Sequence, residues 1–323
     1  MERSLMTRIR FLVISVLLLI GCERQKSLPT TDSTTVADKP ITLADARRDF
    51  RTKLVRQDQA GEPLPQPPAH LFQLVHYESK AGRLAAFISP DPKDGKRRPA
   101  IIWITGGDCN TLDDGFWKAN SPSNDQTASG FREAGVLMMF PTLRGGNQNP
   151  GFKEGFFGEV DDVLAAADYL AKQSYVDPQR IYLGGLSTGG TLVLLVAECT
   201  DRFRAIFSFG ANDDASTYGK NFIPYDPSDE REIKLRSPIR WLQAIRVPTF
   251  VFAGARRDNI SELKAMKRAS TNQRVSFFLV EGAEHVTILA PTARLIARKI
   301  LLDVGTASQI SFTEDELNRL FAE

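Results

Sequence analysis

Ser187 stands at the centre of Gly185-Leu186-Ser187-Thr188-Gly189, after an apolar strand-like run from Arg180 and before a helix-like segment, Thr191 to Glu198. A serine on a sharp strand-to-helix turn is a nucleophile elbow: the strained turn exposes its hydroxyl. Glycines at 185 and 189 remove β-carbons that would clash in such a turn. The Thr188 amide then falls at a helix N-terminus, where it can face a developing oxyanion.

A serine hydroxyl is a weak nucleophile at neutral pH and needs a base, which in turn needs an orienting acid. In this kind of site the three follow in the order Ser, Asp or Glu, His. Of His70, His76 and His285, only His285 lies after Ser187, just beyond the strand-like run Val275 to Val280. Between the two, Pro248 to Gly254 reads as another strand, and a short turn leads to Asp258. Asp258 is the leading acid; Asp213, Asp214, Glu281 and Glu284 are the alternatives. The apolar run Pro99 to Ile104 reads as a strand buried on both faces and ends in Thr105-Gly106-Gly107-Asp108. The Gly107 amide, with Asp108 next, is the candidate second oxyanion donor.

These motifs make the chain resemble α/β-hydrolases of the prolyl oligopeptidase-like and dienelactone hydrolase-like group, from about His70 to Val304. Pro141 to Gly146, Gly158 to Val163 and Asp177 to Ile181 extend the likeness. The resemblance implies Ser187 as nucleophile, Asp258 as acid, His285 as base, and the Gly107 and Thr188 amides as oxyanion hole. Two departures stand out. The family's oxyanion loop often reads His-Gly-Gly, whereas here Thr105 comes first, and Asp108-Cys109-Asn110 replaces a proline-containing loop. Peptidase members usually carry a large N-terminal β-propeller, which residues 22–68 cannot accommodate, so peptidase specificity is not carried over.

Residues 1–21 read as a lipoprotein signal peptide. Arg3, Arg8 and Arg10 precede an apolar run, Phe11 to Ile20, which is short of the about 20 residues a membrane span needs. Leu19-Ile20-Gly21-Cys22 resembles a lipobox, which makes Cys22 the lipidation site and anchors the chain to a bacterial envelope membrane facing the periplasm or exterior. Glu23 in place of a retention-type Asp favours the outer membrane. Residues 22–68 read as lipidated tether and linker, rich in Ser, Thr, Asp and Pro from Ser27 to Lys39 and in Pro from Ala60 to Pro68.

Lys and Arg number 41 against 39 Asp and Glu, and without residues 1–21 the balance is formally neutral. Nucleic acid as a partner calls for a basic stripe, which this balance does not supply. No nucleotide-cradling glycine loop, His-Glu-x-x-His or Cys-x-x-Cys occurs, so neither cofactor nor metal is expected. Cys109 and Cys199 fall at opposite ends of the elbow helix, about 18 Å apart at 1.5 Å per residue, so a disulfide between them is not expected.

Strand-like runs fall at 71–78, 84–89, 100–105, 136–140, 180–185, 205–209, 249–253 and 275–280, with helices interleaved from the third onward, such as 160–173 and 291–302. That alternation predicts an α/β-hydrolase fold: a mostly parallel eight-stranded sheet with helices on both faces and an antiparallel hairpin at one edge. Residues 69–323 suit one catalytic domain, since such folds run about 200–250 residues. Residues 211–246 form its cap, and Thr313 to Phe321 a last helix. The expected function is a serine hydrolase cleaving an ester, or the peptide bond of a short substrate, through an acyl-enzyme. The competing reading is an inactive hydrolase fold serving as an envelope binding or assembly module, with the altered oxyanion loop as its support.

Overall fold

The apolar runs become eight strands of one sheet: β1 (Gln73–Ser79), β2 (Gly82–Ile88), β3 (Arg98–Ile104), β4 (Leu137–Pro141), β5 (Val176–Leu186), β6 (Ile206–Phe209), β7 (Thr249–Arg256) and β8 (Val275–Glu284). Their order is β1-β2-β4-β3-β5-β6-β7-β8. The computed structural model describes residues 41–118 and 120–322, and Pro40–Glu323 is one compact unit. Cys22, the signal peptide and most of the tether lie outside the described residues.

β1 and β2 form the expected antiparallel hairpin, and β2 also pairs antiparallel with β4. Every other pairing is parallel. β4 and β6 are buried at every residue, as strands covered on both faces must be. The chain builds outward from β3 to β4, then returns to lay β5 on the other side of β3. Strand order reverses there, so the loops leaving the carboxyl ends of β3 and β5 splay apart and open a crevice. The Thr105–Asp108 loop and Ser187 leave from those two ends.

Among the described residues, eight α-helices cover the sheet: α1 (Leu43–Arg47), α2 (Gly130–Glu133), α3 (Phe157–Ala171), α4 (Thr188–Ala197), α5 (Glu230–Lys234), α6 (Ile260–Ala269), α7 (Leu289–Leu302) and α8 (Glu314–Asn318). Buried residues of α1, α3, α4 and α6 share one core cluster, and those of α2, α7 and α8 share the other, across the sheet. Every residue of α4 is buried, as in a helix apolar all round. The last helix is shorter than its sequence pattern, and Asn318 accepts the Glu281 amide of β8 at 3.0 Å.

Residues 41–61, within the segment read as tether and linker, dock on the domain. Leu43 is fully buried and its amide donates to the Glu198 carbonyl at 3.3 Å. Leu54 bridges to Tyr225, and the Val55 amide donates to the Pro224 carbonyl at 2.8 Å. Further on, Ala60 donates to the Gly145 carbonyl at 2.8 Å and Asp58 accepts from the Lys153 amide at 3.0 Å. This N-terminal strap joins the 211–246 excursion, which carries α5, to the loop after β4.

Candidate active site

Ser187 ends β5 and starts α4 with φ 56° and ψ −116°, a conformation that costs a non-glycine residue on the order of 1–3 kcal/mol. Packing holds it there. Its amide donates to the Phe209 carbonyl of β6 at 2.7 Å. A β-carbon on Gly189 would meet the Ile104 carbonyl at 2.2 Å, so α4 approaches the end of β3 as only glycine permits.

His285 follows β8 directly, because that strand runs past Val280 to Glu284. A register shift between Gly254 and Arg256 lets β7 and β8 stay paired to their ends. The His285 Nδ1 and Asp258 Oδ1 atoms are 2.5 Å apart. A carboxylate can only accept, so Nδ1 carries the proton and Nε2 is left as the basic nitrogen. The Asp258 side chain is fully buried and accepts the Gly254 amide at 2.6 Å and the Asn259 amide at 2.7 Å. β6 lies between ring and serine: Phe209 accepts the Ser187 amide, and a β-carbon on the next residue, Gly210, would lie 2.6 Å from His285 Nδ1. Ser187 Oγ forms no hydrogen bond to the ring here; such bonds commonly tighten only once substrate is bound.

The other acids have different partners. Asp214 accepts the Ser216 amide at 2.9 Å and faces Arg240 at 3.7 Å, and Asp213 carries a carboxyl that burial pushes upward. Glu281 is exposed, and neither it nor Glu284 bonds the His285 ring.

On the other side of the serine, a β-carbon on Gly106 would sit 3.1 Å from Ser187 Cβ. Gly107 has φ +70°, and its carbonyl accepts the Thr188 hydroxyl at 2.9 Å. Among the described residues neither the Gly107 nor the Thr188 amide donates a hydrogen bond; the first amides of a helix have no partner within it. Two unengaged donors beside the serine suit a negatively charged oxygen.

The unusual Asp108-Cys109-Asn110 sequence braces this loop. Asp108 pairs with Lys153 at 2.7 Å and accepts the Thr111 hydroxyl at 2.6 Å. Buried Asn110 donates to the Arg144 carbonyl at 2.8 Å and to Glu159 Oε1 at 3.1 Å. Behind it, Arg144 Nε and Nη2 each lie 2.9 Å from the Asp162 carboxylate. Burial pushes the Glu159 carboxyl up, partly countered by Arg144. Cys109 and Cys199 are both free; burial raises both thiols, Cys199 to about 12, so neither is an activated nucleophile.

Sequence reasoning missed Gly210 and Asn259. Asn259 Nδ2 donates to the Gly210 carbonyl at 2.7 Å and to Asn212 Oδ1 at 3.0 Å, tying the acid's loop to the end of β6. The available signal was a glycine closing another apolar strand, as Gly106 and Gly254 do.

Fold and site together define an α/β-hydrolase with a Ser/Asp/His arrangement at the carboxyl edge of its sheet. The chain belongs to the prolyl oligopeptidase family, which it matches over residues 123–290. It is 29% identical over 162 residues to prolyl oligopeptidase A of Amanita bisporigera, covering 43% of this chain and 21% of that one. It is 32% identical over 129 residues to dipeptidyl-peptidase 5 of Porphyromonas gingivalis, 37% of this chain and 18% of that one. The matches thus span under a third of these curated relatives. In fold it is similar to the Pyrococcus horikoshii acylaminoacyl peptidase, at TM-score 0.60 and 14% identity over 76% of this chain and 44% of that one. A Pyrobaculum calidifontis esterase aligns at TM-score 0.53 and 18% identity over 73% of this chain and 87% of that one.

Proposed function

We propose that the protein is a serine hydrolase that cleaves peptide or ester bonds of small substrates through an acyl-enzyme. The observation that carries this reading is the 2.5 Å contact of His285 Nδ1 with the buried Asp258 carboxylate, beside a serine held in left-handed backbone. His285 Nε2 takes the Ser187 proton as Oγ attacks the carbonyl carbon. Asp258 holds the ring in the tautomer this needs and stabilises the imidazolium. The Gly107 and Thr188 amides receive the oxyanion. His285 then gives its proton to the leaving amine or alcohol, and water releases the acyl group by the same steps in reverse. Membership of a peptidase family supports peptide substrates. Anchoring to a bacterial envelope membrane through lipidated Cys22 rests on the sequence pattern.

A fluorophosphonate, which phosphonylates activated serines, tests the reading. Wild type should label and Ser187→Ala should not, and the variant should lose kcat by roughly 10⁴-fold or more on an activated ester. A folded wild-type protein that fails to label would refute it.

A further inference from the structure

Beside Gly107 opens a cavity of about 450 Å³ lined by four separate segments: Gln57–Gln59 of the strap, the loop after β3, the loop after β4 and the cap at Asn221 and Phe222. No lining residue comes from β7, β8 or the turns that carry Asp258 and His285. The sheet order sets β3 and β4 on one side of β5, and β7 and β8 on the other. The base protonates the leaving group, so the leaving group lies toward β8. An acyl portion on the opposite side meets Gly107, which borders this cavity.

The walls define what fits. Their carboxylates are neutralised, Asp58 by Arg56 at 2.6 Å and Asp108 by Lys153 at 2.7 Å. The apolar lining is Phe156 and Phe222, whose rings are 5.2 Å apart, with Tyr218 stacked on Phe222 at 4.7 Å. The volume sits at the low end of the roughly 300–1,000 Å³ of small-molecule sites. The strap lines one side and is held there, since Arg56 donates to the Lys220 and Asn221 carbonyls at 3.0 and 2.7 Å. Exposed Gln57 makes no side-chain hydrogen bond among the described residues.

We propose that the N-terminal strap is a specificity determinant of this enzyme: Gln57–Gln59 wall the acyl pocket and restrict it to one compact, uncharged group with an apolar or aromatic body. The proposal rests on Ser187 being the nucleophile.

The test uses the full chain and p-nitrophenyl esters that share a leaving group while the acyl group grows from acetyl to 3-phenylpropionyl to an N-protected dipeptidyl. Gln57→Trp fills the cavity from a position with no structural bond to lose. It should cut kcat/KM for the phenylpropionyl ester about tenfold or more, a step typical of pocket occlusion. Acetyl ester turnover should fall by less than phenylpropionyl ester turnover, since the smallest acyl group does not reach the filled volume. Gln57→Gly should raise kcat/KM for the dipeptidyl ester about fivefold or more. An acyl profile unchanged in both variants, with labelling intact, overturns the strap as pocket wall. Loss of labelling in wild type would instead remove the nucleophile on which the proposal rests.

Discussion

A β-carbon at position 210 would lie 2.6 Å from both Cε1 and Nδ1 of His285 and 2.8 Å from Asp258 Oδ1. No real β-carbon tolerates such contacts, and φ +53° adds a left-handed cost of about 1–2 kcal/mol for alanine. Gly210→Ala must therefore push the ring or its acid aside. Displacements of about 1 Å cost about 10²-fold in rate, so kcat/KM on an activated ester and the fluorophosphonate labelling rate should both fall about 100-fold. Near-wild-type labelling by a folded variant would show that the ring need not sit where it does. At this scale Ser187, His285 and Asp258 were legible because each follows an apolar run that must end at the same sheet edge. The sequence leaves Asp258, Asp213 and Asp214 open as acids; the His285 ring contacts Asp258. Gly210 was not legible, because the atoms that demand a glycine belong to residues far along the chain.

Among the elements, the strap was the least legible. It contacts the domain through backbone amides and scattered polar side chains such as Thr52, Arg56 and Gln59, which leave no hydrophobic periodicity, and its residues alternate between exposed and half-buried from Arg51 to Ala60. The proline-rich composition that follows reads as a linker by the same rules that correctly found the strands. Its anchor is Arg236, a fully buried guanidinium. Arg236 pairs with Glu232 at 2.5 Å, donates to the Thr52 hydroxyl at 2.7 Å and to the Glu154 carbonyl at 3.0 Å, and stacks 4.0 Å over Tyr225. Glu232 also accepts the Lys53 amide at 2.8 Å. One ion pair thus joins strap, cap and the loop after β4. Glu232→Gln strands a buried cation, and breaking a buried pair costs about 3–5 kcal/mol. The urea midpoint should drop accordingly. The double variant Glu232→Leu with Arg236→Met should lose less than Glu232→Gln alone, since an apolar pair removes both charges together. Equal losses would mean that packing, not charge, holds the strap.

Across the whole molecule, two buried carboxyls give stability opposite dependences on pH. At Asp303, burial favours the neutral form, but hydrogen bonds from Arg204, the Gln309 amide, Tyr182 and Ser308 outweigh it and bring the group down to about 2. A depressed carboxyl contributes stability above its unfolded value, near 4, and loses it as pH falls toward 2. Glu198 works the other way. It ends α4, the helix that Ser187 begins, and both its carboxylate oxygens are buried without a hydrogen-bond partner among the described residues. The carboxyl end of a helix is already partly negative, and burial pushes this group well above its usual range. The native state then binds a proton that the unfolded chain releases above about 4.3, so stability falls as pH rises between the unfolded and native values. Glu198→Gln keeps the shape and removes the titration. Its Tm should match wild type near pH 4 and exceed it at pH 8, by roughly 2–4 °C for each kcal/mol of penalty removed. Calorimetry at the two pH values decides it: a gain of equal size at both, or none at pH 8, would mean that the carboxyl is not held neutral beneath α1.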